Sequence, residues 1–180
     1  MATQALRVQP GMARFRPAPI RPNLVCVLCT LTVSAAPTSV SFALVKGGTA
    51  AASAPIVITT TLYGVSALSS LTLYGYFSSS SAALTDGDAT PDNIPSSAVL
   101  GQVPTGTPTS YTPFTQSDAV GTAGATLQLF STASLLSLGC LPVTAVCRSD
   151  SLNLEISLAG LPQLPAGTYN GTLILQAQAL

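Results

Sequence analysis

Four cysteines and six carboxylates are the residues of this chain best suited to chemistry, and their spacing narrows what that chemistry is. The cysteines form two close pairs, Cys26/Cys29 and Cys140/Cys147. In an oxidising compartment the run Leu141 to Val146 closes a loop that brings two Cα atoms to about 5.5 Å, so Cys140 and Cys147 are expected to form a disulfide. A zinc site built with Cys26 and Cys29 is the rival. It lacks a second tight Cys-x-x-Cys half, and the chain has no histidine to complete it. A redox reading of Cys26-Val27-Leu28-Cys29 fails because the pair lies inside an apolar stretch instead of at a strand-to-helix turn. No metal and no cofactor are expected.

The carboxylates cluster once. Asp86, Asp88, Asp92 and Asn93 offer oxygens that a Ca²⁺ ion or another ligand would take, yet no late bidentate Glu follows as in an EF-hand. A solvated turn explains the same residues. Glycoside hydrolysis needs two acids flanking a groove, and only Glu155 and the loop aspartates are on offer. With no histidine, the usual Ser and Cys triads are gone, and no Gly-x-Ser-x-Gly elbow or phosphate loop occurs. The chain is therefore expected not to be an enzyme. Tyr63, Tyr74, Tyr76 and Tyr111 are candidates for a sugar-binding patch, against the simpler reading of strand packing. Asn170-Gly171-Thr172 matches a glycosylation acceptor by chance composition.

Charge decides the next question. Only 7% of residues are charged, so Ser and Thr must solvate the surface. Arg7, Arg14, Arg16 and Arg21 precede a body whose only cations are Lys46 and Arg148, too few to neutralise a line of phosphates; nucleic acid is not an expected partner. A basic segment followed by Leu24 to Val33 and the small residues Ser34, Ala35 and Ala36 reads as an export leader over residues 1–36, with a Val33-x-Ala35 cut and Met12 as an alternative start. Mean hydropathy is +0.52, but no apolar run is long enough for a transmembrane helix. An extracellular or cell-surface location is the expectation.

The elements that would position these residues are strands. Val40, Phe42 and Leu44 alternate with small polar residues; Ile56 to Leu62, Leu71 to Phe77, Leu127 to Phe130, and Leu152 to Leu158 repeat the period of two. Leu71, Leu73 and Phe77 should face inward, Leu127 and Leu129 should alternate with Gln128 and Phe130, and Glu155 should face water. Shorter strands are expected near residues 99–103 and 111–114, and a last one over 168–179. No helical period is sustained. The pattern predicts an all-β domain over residues 37–180, an antiparallel immunoglobulin-like sandwich of seven to eight strands.

The run Leu161 to Leu180, with its Pro-Ala-Gly-Thr-Tyr-Asn-Gly-Thr core, resembles the last strand of secreted bacterial immunoglobulin-like domains. Together with Pro37 to Phe42 and Leu71 to Phe77, it is similar to secreted proteins of the acidobacterial kind, and distantly to spore-coat-U and fimbrial pilin subunits. That resemblance implies a structural or adhesive fibre subunit that associates with its own kind or with other surface proteins by strand addition. Val40, Phe42 and Leu44 are the candidates for a donated strand, and serve equally as the domain's own first strand. The competing expectation is a monomeric binding module that recognises carbohydrate or protein through its loops.

Overall fold

The computed structural model describes residues 2–10, 14–15, 30–63, 70–88, 91–132 and 145–179. The strands are β1 (Ala2–Pro10), β2 (Arg14–Phe15), β3 (Thr30–Ala36), β4 (Ser39–Leu44), β5 (Thr49–Ala51), β6 (Ile56–Tyr63) and β7 (Leu71–Tyr76). They continue as β8 (Leu84–Thr85), β9 (Asn93–Ile94), β10 (Val99–Gln102), β11 (Thr112–Pro113), β12 (Thr126–Thr132), β13 (Ala145–Ser157) and β14 (Asn170–Ala179). A single 3₁₀ turn, Ser96–Ala98, is the only helical element among the described residues.

The strands form two sheets. The first runs β12-β7-β14-β1-β4, with β2 and β8 also on β14 and β9 on β8; the second runs β11-β10-β13-β6-β3, with β5 on β13. Every pairing is antiparallel except those of β1 and β2 with β14, which are parallel. The chain crosses from the second sheet to the first between β3 and β4, beside the cis Ala36–Pro37 bond. Among the described residues no helix is long and apolar enough to cross a membrane.

Alternation explains the core. Ile56, Ile58 and Leu62 of β6, Leu152, Leu154 and Ile156 of β13, and Leu173, Leu175 and Ala177 of β14 bury their side chains between the sheets. Leu71, Leu73 and Phe77 face inward as the pattern predicts, and the Phe77 and Phe114 rings meet edge to face at 5.2 Å. One residue departs from the expected phase. A bulge between Gln128 and Phe130 adds a residue to β12, so both Leu129 and Phe130 are buried where simple alternation would expose the ring. Glu155 keeps the outward phase but is half-buried, because Leu100 and Ala51 flank it on the neighbouring strands.

Strands β1, β2 and β3 come from residues 1–36, the segment expected to be a leader outside the domain. The apolar run that reads as a leader also carries a strand's alternation: Leu31 is buried, Val33 and Ala35 are half-buried, and Thr30, Thr32 and Ser34 are exposed.

Backbones approach closely at Gly171, where a Cβ would strike the Ala83 carbonyl and Leu84 Cγ, so β8 can lie on β14 only because this residue has no side chain. Gly171→Ala should therefore cost about 1–3 kcal/mol, read as a lower urea midpoint at unchanged m value. An unchanged midpoint would show that β8 is free to shift.

Candidate functional site

The feature with the clearest capacity for interaction is a slot in the first sheet. Strands β4 and β14 do not touch each other in that sheet; β1 lies between them and hydrogen-bonds to both. Ala2 to Arg7 pair antiparallel with Leu44 to Ser39, while Ala5 to Pro10 pair parallel with Asn170 to Leu175. Leu6 is the anchor: it sits opposite Val40 on one side and Gly171 on the other, and is fully buried. Val40 and Phe42 are themselves buried at 3% and 1%, so β4 forms a wall of the slot, with Leu44 half-buried at its end.

The acidic loop connects β8 to β9. Asp86 turns both oxygens onto its own backbone, accepting the amides of Asp88 at 3.2 Å and Asp92 at 3.3 Å, and Gly87 takes a positive φ of 80°. Asn93 is in β9, opposite Thr85. The described residues contain no group of three or more metal-ligating side chains. Buried Tyr169 feels this loop: burial and then the charges of Asp92, Asp86 and Asp88 push its phenol above the ordinary value. Its hydroxyl donates to the Pro165 carbonyl at 3.2 Å.

The tyrosines do not converge. Tyr63 is exposed in the second sheet, Tyr74 is buried and Tyr76 half-buried in the first, and Tyr111 is exposed beside β11. Asn170, Gly171 and Thr172 open β14. Cys147 is half-buried in β13 opposite Thr61 and is not a free thiol. Cys26, Cys29 and Cys140 lie outside the described residues.

Three features escape a reading of composition and motifs. The first is a groove of about 360 Å³ between the β4–β5 connection and the β13–β14 connection, lined by Leu44, Val45, Leu158, Leu161 and Leu164 and bordered by the Lys46 Nζ to Gln163 Oε1 bond of 2.7 Å. The second is an ion pair facing the core. Arg148 Nε and Nη2 donate to Asp150 at 2.7–2.9 Å, Nη2 also donates to the Thr105 carbonyl, and the guanidinium lies 3.8 Å from the Phe130 ring centre. The Asp150 side chain is 1% exposed and that of Arg148 18%. The inward phase of Leu152, Leu154 and Ile156 extends back to these two residues, which is the signal that could have found them. The third is Asp118, one of whose oxygens is buried with no hydrogen-bond partner. Burial raises its carboxyl above the ordinary range, and its charge helps burial to raise Tyr74.

No protein family, curated protein or solved structure matches this chain.

Removing Arg148 leaves a buried carboxylate, so Arg148→Ala should cost about 3–5 kcal/mol, whereas the double change Arg148→Met with Asp150→Leu should lose much less. Equal losses in chemical denaturation would contradict this account. Asp118 has the opposite sign. Its folded-state value is raised, so its ionisation destabilises the fold as pH rises from the ordinary carboxylate value through the raised one. Asp118→Asn should raise Tm at neutral pH and leave it unchanged well below the carboxylate range; a gain of equal size at both would rule out the charge as its cause.

Proposed function

We propose that this chain is an exported, non-enzymatic structural or adhesive protein of the cell surface, an immunoglobulin-like sandwich that joins neighbouring copies or other surface proteins by β-strand addition. The slot between β4 and β14 carries the reading. Its walls are fixed by the core, while the strand that fills it comes from the far end of the chain and holds its place through main-chain bonds and one buried leucine. Main-chain pairing of this kind can take a strand from another chain where one is supplied at high enough local concentration. The crossing of β3 and β4 between two packed sheets supports the immunoglobulin-like description.

Export is supported by the basic and apolar character of residues 1–36. Because those residues also supply β1 and β3, the assembled form keeps them, and a cut after Ala35 is not part of this reading. Cys140–Cys147 is the disulfide proposed to tie the start of β13. The few cations of the body argue against nucleic acid as a partner. The groove beside Lys46 supports a second reading, a monomeric module that takes carbohydrate or a protein side chain at that end.

Negative-stain microscopy of the full chain, with and without excess synthetic peptide of residues 1–15, tests the first reading. Fibres that shorten or vanish with the peptide are expected. Strictly monomeric protein, or fibres indifferent to the peptide, would overturn it and leave the binding-module reading.

A further inference from the structure

The two sheets end in four edges, and the sequence treats one of them differently. At β4 the outer side is occupied: the Ser53 amide donates to the Ser41 carbonyl at 2.8 Å, the Ser41 amide donates to Ser53 Oγ at 3.1 Å, and Phe42 bridges Ala52. At β12 the Thr107 amide donates to the Leu129 carbonyl at 3.1 Å, Gln116 Oε1 accepts the Gln128 amide at 2.7 Å, and a bulge breaks the register. Strand β11 is two residues long and contains Pro113. These are the ordinary devices that stop an edge from pairing with another chain.

Among the described residues, strand β3 has none of them. Its seven residues pair with β6 on one side, and no described residue hydrogen-bonds to its other side. It contains no proline, bulge or charge, and the sequence carries no charged residue between Arg21 and Lys46. We infer that the β3 edge is a docking surface for the β3 edge of a second copy, the two strands pairing antiparallel about a two-fold axis near Val33.

Self-pairing fits the side chains. Centred on Val33, it sets Thr32 against Ser34, Thr30 against Ala36, and Leu31 against Ala35, so exposed residues meet exposed ones and core-facing residues meet core-facing ones. Thr32–Ser34 pairs are favourable neighbours across strands, and with no charge on either edge nothing repels. The same patch meets itself, as closed two-fold assembly requires. The pairing would continue one sheet through both copies, from β13 and β6 of the first to β6 and β13 of the second. A single strand pair buries less than a standard interface, so association belongs to the micromolar-to-millimolar class and matters where copies are crowded. This contact uses the second sheet and is independent of the slot in the first.

The test is the introduction of charge at two exposed positions of the full chain, followed by sedimentation equilibrium over that concentration range. Wild type should form dimers. The T32K/S34K chain should dimerise roughly tenfold or more weakly, because each Thr32–Ser34 contact becomes two facing ammonium groups. The T32E/S34E chain should do the same. Mixed together, the two should recover a one-to-one heterodimer, which also shows that both have folded. A wild-type chain that stays monomeric, a dimer that ignores both charge pairs, or two weakened chains that do not recover on mixing would each overturn the inference. Fibres blocked by peptide 1–15 but indifferent to the lysines would leave the slot reading intact while removing this one.

Discussion

A central strand whose side chains are buried must find hydrogen-bond partners on both of its edges, because an unpaired amide or carbonyl there has no water to turn to. Strand β14 is that strand here. It runs through the middle of the first sheet with Leu173, Leu175, Ala177 and Ala179 in the core, takes β7 on one side, and depends on β1 for Asn170 to Leu175 on the other. Strand β4 depends on Ala2 to Arg7 of the same strand. The arrangement of the first sheet follows from this need, and so does the reading of the protein as one built to accept a strand.

Low charge then acts twice. It lets Ser and Thr cover the strands without interrupting them, and it removes the lysines that most proteins place on open edges. Among the described residues the one ion pair lies inside, where Arg148 ties β13 to Thr105 and to the Phe130 ring between the sheets. An Arg–Asp pair in that position fixes how the two sheets sit at one end, at the cost of depending on both partners.

Much of the fold was legible because alternation is a local property. Residues 39–44, 56–63, 71–76, 152–157 and 170–179 are strands close to where period-two patterning puts them. What was not legible depends on distant partners. Residues 2–10 have no strong alternation, and their strand character comes from lying between β4 and β14, which meet only in the folded chain. Residues 30–36 satisfy the composition of an export leader and the pattern of an edge strand at once, and composition alone does not choose. The β12 bulge reversed the phase of Phe130, and without that reversal the stacking of Arg148 has no ring to meet. The aspartate cluster was visible as residues but not as chemistry, since Asp86 binds its own loop.

Hydrogen exchange resolved to single amides over residues 170–175 tests the dependence of β14 on β1 most directly. In the intact chain these amides should be protected to nearly the degree of those in β6. In the Leu6→Asp chain, protection should fall selectively over residues 39–44 and 170–175 while β6 and β13 keep theirs. Equal protection of residues 170–175 in both chains would contradict the account, because it would mean that β14 is held without the strand that fills the slot.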